Sequence, residues 1–199
     1  TYTSSLVEVV TPSGIADIVL LRQITSGSPN TLSRVVQPRW LFALRELPYR
    51  RIFSAEDLAQ LAGVSIGRAR DAANEFVDAG YCEKIRPNCW RKFRQPKPIT
   101  NRLCAIEAKL SDWQRALLQA SRNYDFANES WVLLDHSRST PAIAALPEFV
   151  RRNVGLATMS VTGEISIHFR PIPLKPRSTQ RSWHVQGEII RRLRPIQSV

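Results

Sequence analysis

The chain has 199 residues, which is enough for one substantial domain or two small ones. Its hydrophobic content of 43% is typical of a folded protein and argues against a disordered chain. The 28 Lys and Arg residues exceed the 17 Asp and Glu residues, and the net charge of +11 favours nucleic acid as the partner.

The sequence also indicates where the protein works. No apolar run approaches the length of a membrane span, and the N-terminus lacks the pattern of a signal peptide. Cys82, Cys89 and Cys104 are not spaced in pairs, so a zinc site is not expected. Free thiols suit a reducing compartment, and we therefore expect a cytoplasmic protein without membrane contacts.

The first predicted element is a β-hairpin. Residues 6–10 and 16–21 are rich in β-forming side chains, and the Thr-Pro-Ser-Gly segment between them is typical of a turn. A four-residue turn would place Glu8 opposite Asp17, where a cation would remove the repulsion between the carboxylates. A three-residue loop would break this pairing.

Three helices follow. The first is predicted for residues 40–47. In the second, Ser54 followed three residues later by Asp57 is a capping-box-like start. The third is predicted for residues 66–79 after a cap at Ser65.

The turn before the third helix has the spacing Ala59-x3-Gly63-Val64-Ser65, which resembles the helix-turn-helix family. A second hairpin about Arg86-Pro87 then follows the third helix and looks like the wing of a winged helix. The resemblance implies a winged helix-turn-helix DNA-binding domain, which we assign to residues 36–97.

Polar and basic side chains of this domain are expected to contact double-stranded DNA. A run of charges is usually just a solvated face, but this one adjoins the helix expected to read the duplex. The predicted DNA-binding residues are Ser65, Arg68, Arg70, Asn74, Lys84, Arg86, Arg91, Lys92 and Arg94.

Residues 103–110 are predicted to form a strand that carries two charges, Glu107 and Lys109. Residues two apart on a strand point to the same face, so the carboxylate and the ammonium share one side of the sheet. Because a half-buried charge is costly without a partner, Glu107-Ala108-Lys109 is a candidate site. The alternative is an edge strand whose polar face meets water.

The rest of the chain alternates between helices and strands. We predict a helix from Ser111-Asp112 to about residue 127, a strand at 130–134, a helix at 141–152, strands at 154–160 and 164–170, and a helix at 182–193. This order is typical of an α/β (α+β) domain with a mixed sheet.

The first hairpin needs a larger sheet, since two strands are marginally stable in isolation. When residues 24–98 are removed, its second strand joins the strand at 103–110 in a three-stranded meander. We therefore assign residues 1–35 and 98–199 to one discontinuous core, into which the DNA-binding domain is inserted at a strand connection.

With residues 24–98 left out, the order of strands and charged residues resembles the PD-(D/E)xK nuclease superfamily. The resemblance covers residues 6–22 and 103–134 and extends more loosely over the C-terminal strands. The resemblance implies a restriction-endonuclease-like mixed sheet flanked by helices. In this family an aspartate on one strand and a (D/E)xK triplet on the next bind a divalent metal and activate water. Asp17 and Glu107-Ala108-Lys109 match these positions.

Several roles are implied by this resemblance. Asp17 and Glu107 would hold Mg²⁺ or Mn²⁺, and Lys109 would orient or deprotonate the attacking water. The family's acidic residue on an earlier helix has no counterpart here, and Glu8 would take its place as a metal ligand.

The helix after the triplet also matches the family. Many members carry a glutamine near the site and an aromatic residue about a turn later, and Gln119 and Tyr124 fit these positions. Gln119 would position the DNA backbone or the water.

The expected function is a metal-dependent DNA endonuclease whose winged helix docks the duplex, associated with the nucleoid of a prokaryotic cell. One alternative is a non-catalytic, sequence-specific transcriptional regulator that uses the nuclease-like core as a structural or dimerisation platform. Another is a protein-interaction module, because winged helices also bind proteins. A symmetric homodimer is a possible assembly on base rates.

Overall fold

The structure is a computed structural model that describes residues 4–12, 14–23 and 36–193. Ser13, inside the turn of the first hairpin, lies outside the described residues. By its internal contacts the chain divides into two units. Among the described residues, the first unit comprises those up to residue 23 and residues 100–185, and the second comprises 36–99 and 186–193. The sequence placed residues 186–193 with the core instead.

In chain order the elements are β1 (Ser4–Thr11), β2 (Gly14–Gln23), α1 (Pro38–Glu46), β3 (Ile52–Ser54), α2 (Ala55–Ala62), α3 (Ile66–Asp78), β4 (Cys82–Arg86), β5 (Cys89–Lys92), β6 (Thr100–Lys109), α4 (Trp113–Asn123), β7 (Glu129–Asp135), a 3-10 helix (His136–Arg138), α5 (Thr140–Ala144), α6 (Leu146–Arg152), β8 (Gly155–Met159), β9 (Ile165–Phe169) and α7 (Thr179–Leu193).

Within the described residues, the first unit is built on a six-stranded sheet in the order β1-β2-β6-β7-β8-β9. The pairs β6–β7 and β7–β8 are parallel, and the other neighbouring strands are antiparallel. The prediction of an α/β protein with a mixed sheet flanked by helices is therefore confirmed.

The register of the first hairpin follows the four-residue turn. Val10 pairs with Ile15 and Val9 with Ala16, and β2 then pairs with β6 in an antiparallel ladder. This places β1, β2 and β6 side by side, as the predicted meander requires. Strands far apart in the sequence thus become neighbours at the centre of the unit.

Helix α4 packs on β6 and β7 and covers one face of the sheet. Its N-terminus is capped by Asp112, whose side chain accepts the backbone N–H of Arg115 at 3.1 Å. The apolar side of α4 joins a buried cluster that includes Leu117, Leu134 and Phe149. This packing fixes the face of α4 that is directed toward β6.

Two of the predicted helices differ most clearly from those observed. Helix α4 ends at Asn123, earlier than the predicted end near residue 127, and the backbone carbonyl of Asn123 accepts the N–H groups of Phe126 and Ala127. The helix predicted for 141–152 is two helices, α5 and α6, which meet at Ala145. Pro147 explains this break, because proline has no N–H to continue a helix and favours the first turn of a new one.

In the second unit, residues 36–99 form three helices and a three-stranded antiparallel sheet in the order β3-β5-β4, and residues 186–193 are the C-terminal part of α7. The predicted capping box is present, since Ser54 and Asp57 each accept the other's backbone N–H. Gly63, in the predicted turn, has a φ of 64°, a left-handed conformation that ends α2. The short strand β3 was not predicted.

Candidate active site

Asp17, Glu107 and Lys109 lie together on the first unit. The ammonium Nζ of Lys109 is 2.7 Å from Oδ2 of Asp17 and 3.9 Å from Oε2 of Glu107. Asp17 Oδ2 also accepts the backbone N–H of Ala108 at 2.8 Å. The structure therefore joins the single aspartate of β2 to the charged triplet of β6.

The end of the ladder between β2 and β6 explains this contact. The last backbone pair is Ile18 with Ile106, and continuing the same count would place Asp17 opposite Glu107. At this point the carboxylate of Asp17 accepts a hydrogen bond from the backbone N–H of Ala108. A side chain thus bonds to the backbone of the neighbouring strand where the regular ladder has stopped.

Glu107 is the most enclosed charged group of the site, with 1% of its surface exposed. It shares a face of β6 with Leu103 and Ala105, because these residues are spaced two apart. Its Oε1 accepts a hydrogen bond from Nδ2 of Asn123 on α4 at 2.8 Å. Its Oε2 is buried and has no hydrogen-bond partner among the described residues.

Burial is the largest influence on Glu107 and raises the pKa of its carboxyl group above the ordinary value. The hydrogen bond from Asn123 lowers this pKa, the nearby charge of Asp17 raises it, and the charge of Lys109 lowers it. Because its Oε2 has no hydrogen-bond donor among the described residues, the buried carboxylate is short of stabilising partners. A bound cation would supply one.

A small cavity adjoins the carboxylate. Its volume is about 60 Å³, which is room for a water molecule or an ion. The lining residues are Gly14, Ile15, Glu107, Gln119, Arg122 and Asn123. Gln119 Oε1 is a second buried oxygen without a hydrogen-bond partner in the described part of the chain. The cavity therefore has two buried acceptors, one on Glu107 and one on Gln119, in its lining side chains.

Asn123 was missed by the sequence reasoning, which pointed to Tyr124. Gln119 and Asn123 are four residues apart and so lie on the same side of α4. Tyr124 is in the core on another side, 1% exposed, and its hydroxyl donates to the carbonyl of Asn153. Burial, the largest influence, raises the pKa of Tyr124 to about 12. The four-residue spacing from Gln119 was the signal that could have identified Asn123.

Glu8, the predicted third metal ligand, lies on the edge strand β1. Within residues 4–12, 14–23 and 36–193, no group of three or more His, Cys, Asp or Glu side chains is placed to hold a metal ion. Glu8 is exposed on the edge strand β1 and has a φ of 51°, a left-handed conformation that interrupts the regular strand. The neighbouring pairs Val7–Ile18 and Val9–Ala16 bracket Glu8 and Asp17 in the register, and a role of Glu8 as a metal ligand stays a prediction.

The residues that are present fit a hard divalent cation in their chemistry. Asp17 and Glu107 offer carboxylate oxygens, which Mg²⁺ and Mn²⁺ prefer, and Oε2 of Glu107 is buried without a donor. A cation that used Oδ2 of Asp17 would compete with the ammonium of Lys109 for the same oxygen.

In the second unit, most of the residues predicted to bind DNA are exposed. Arg68, Arg70 and Asn74 are exposed on α3, Lys84 and Arg86 on β4, and Arg94 after β5. Ser65 caps α3, and its hydroxyl accepts the backbone N–H of Arg68 at 3.4 Å. Arg91 is partly buried and forms an ion pair with Glu83 across the hairpin at 3.2 Å.

Lys92 does not belong to this exposed basic surface, contrary to the prediction. The residue is fully buried, and its Nζ donates to the carbonyls of Leu44 at 3.0 Å and Arg45 at 3.1 Å. These carbonyls belong to the last turn of α1, where a cation is favourable. Burial is the largest influence on Lys92 and lowers its pKa. The alternation of β5, in which Lys92 shares a face with the buried Trp90, accounts for its position.

The chain matches no protein-family model, no curated protein and no solved structure among those compared. In addition, none of the helices formed by the described residues is long and apolar enough to cross a membrane.

Proposed function

We propose that the protein is a metal-dependent DNA endonuclease of the PD-(D/E)xK type, with a winged helix that docks the duplex. The observation that carries this proposal is the meeting of Asp17 with Glu107 and Lys109 beside a cavity that Gln119 lines. Four chemically suitable side chains, one from β2 and three from the consecutive elements β6 and α4, support a common role better than a solvated edge strand does, because Glu107 is buried.

In this proposal Asp17 and Glu107 hold Mg²⁺ or Mn²⁺ through carboxylate oxygens. The bound ion would polarise the scissile phosphate and lower the pKa of a coordinated water. Lys109 would leave Asp17, orient the attacking water and offset the charge that develops on the phosphate. Gln119 would accept a hydrogen bond from a water molecule in the cavity.

The second unit would bind the duplex through its exposed basic side chains. Arg68 and Arg70 on α3 and Lys84 and Arg86 on the hairpin are exposed, and the chain as a whole carries a net charge of +11. Such charges give affinity for phosphates without reading bases. Asn74 on the same helix is suited to contact with base edges.

A cleavage assay tests the proposal. Supercoiled plasmid, linear duplex and branched DNA are each incubated with the full chain and Mg²⁺ or Mn²⁺. Cleavage by the wild type that is lost in Lys109→Ala and Glu107→Gln supports the enzyme. The matched control is Lys175→Ala, which removes an exposed lysine outside the site and should leave cleavage unchanged. Absence of cleavage in all proteins and on all substrates would contradict the proposal.

The second candidate function is a non-catalytic, sequence-specific DNA-binding regulator. It is favoured by the bonding of Asp17 Oδ2 to both Lys109 and Ala108. This arrangement would suit a charge cluster that only stabilises the core. Sequence-selective duplex binding without cleavage, unaffected by Lys109→Ala, would favour this function.

A further inference from the structure

The hydrogen bond between Asn123 and Glu107 joins two buried side chains from different elements. Asn123 is 5% exposed and lies at the end of α4, and Glu107 is 1% exposed on β6. The bond from Nδ2 to Oε1 is 2.8 Å long. A buried carboxylate needs such donors, because without them its desolvation is not offset.

Because of this bond, the two carboxylate oxygens of Glu107 have different environments. Oε1 is held by Asn123, whereas Oε2 has no hydrogen-bond partner among the described residues and is 3.9 Å from the ammonium of Lys109. Both Glu107 and Asn123 line the cavity. The carboxylate is thus fixed through one oxygen, and the other oxygen is left available.

We infer that Asn123 is a positioning residue that holds Glu107 so that Oε2 can bind the divalent cation. This inference rests on the proposed function, since it concerns the same metal site. Partners that orient a metal ligand typically contribute about 10- to 100-fold to metal affinity. The role belongs to the side-chain amide, because a carboxylate or an alkyl group at this position could not donate to Oε1.

A purely structural role for Asn123 predicts a different outcome. Its backbone carbonyl accepts from Phe126 and Ala127 at the end of α4, and these bonds survive a change of side chain. The loss of the side chain alone would then alter stability without altering metal affinity in the folded protein. Metal affinity and thermal stability therefore have to be measured on the same variants.

The test is Mn²⁺ binding by the full chain in the absence of DNA, measured by electron paramagnetic resonance or calorimetry. Asn123→Leu removes the donor at similar volume, and Asn123→Ala is the second variant if the first does not fold. The matched control is Ser121→Ala on the same helix, whose hydroxyl bonds to the carbonyl of Leu117 at 2.7 Å. We expect Mn²⁺ affinity to fall about 10- to 100-fold in the Asn123 variants and to be unchanged in the control.

A second readout is independent of the metal. The side-chain amide resonances of Asn123 should move in Glu107→Gln, because the charged acceptor of their hydrogen bond is lost. Unchanged Mn²⁺ affinity in a folded Asn123 variant overturns the inference and leaves the proposed function intact. Mn²⁺ binding by the wild type that is absent or insensitive to Glu107→Gln overturns the proposed metal site itself, and the inference with it.

Discussion

Lys109 and Asp17 form an ion pair with Nζ and Oδ2 2.7 Å apart, although the two residues are 92 positions apart in the chain. The same oxygen accepts the backbone N–H of Ala108. The ammonium of Lys109 therefore binds one of the oxygens that a metal ion would use. The competition between Lys109 and the cation has a measurable consequence.

We predict that Lys109→Ala binds Mn²⁺ more tightly than the wild type while it loses cleavage. The change frees Asp17 Oδ2 and removes a positive charge from the site, and both effects favour the cation. We expect a gain of roughly tenfold, which corresponds to about 1.4 kcal/mol. Calorimetric titration with Mn²⁺ checks this, with Lys175→Ala as the control. Equal or weaker binding by Lys109→Ala would show that the cation does not compete with this ion pair.

The stability of the protein should depend on pH through Glu107. Its pKa in the folded state is raised above the ordinary value of 4.5, chiefly by burial. The folded state therefore holds this proton more tightly than the unfolded state, and the contribution of Glu107 to stability is lost as pH rises through the raised pKa. Glu107→Gln does not titrate, so its free energy of unfolding should improve relative to the wild type as pH increases above 4.5.

Urea unfolding of the two proteins between acidic and neutral pH, with a chelator present, measures this difference. The other titrating groups are common to both proteins and largely cancel. A difference that is independent of pH, or that shrinks as pH rises, would contradict the raised pKa.

Local signals in the sequence predicted the parts of the structure that depend on neighbouring residues. The capping box of Ser54 and Asp57, the turn at Gly63 and the four-residue turn of the first hairpin are of this kind. The junction of β2 with β6 was also accessible, because an isolated hairpin cannot be stable and had to find a sheet.

The orientation of single side chains was harder to predict. The choice between Asn123 and Tyr124 depends on which side of α4 meets β6, and this is decided by packing across the whole core. The burial of Lys92 depends on the position of α1, which lies far from it in the sequence.

We predict that Lys92 acts on stability and not on DNA binding. Lys92→Met keeps the aliphatic stem but leaves the carbonyls of Leu44 and Arg45 without the ammonium donor. The expected loss is roughly 1–3 kcal/mol of unfolding free energy. The matched variant is Lys84→Met on the same hairpin, which is exposed and should leave stability nearly unchanged while it weakens duplex binding. Urea midpoints and duplex titrations distinguish the two lysines. Weaker DNA binding by a fully folded Lys92→Met would contradict the prediction and would show that Lys92 contributes to DNA binding.

Phosphate contacts by the second unit should be visible in the salt dependence of duplex binding. Each phosphate contact adds about 0.9 to the magnitude of the slope of log affinity against log salt concentration. Arg68→Ala and Arg86→Ala should each lose about one phosphate contact and so reduce the magnitude of this slope by about 0.9. Arg91→Ala should have a smaller effect, since Arg91 is already paired with Glu83 at 3.2 Å. Fluorescence anisotropy at several salt concentrations provides the slopes. A flat salt response in the wild type would remove DNA as the partner of this surface and would favour a protein ligand.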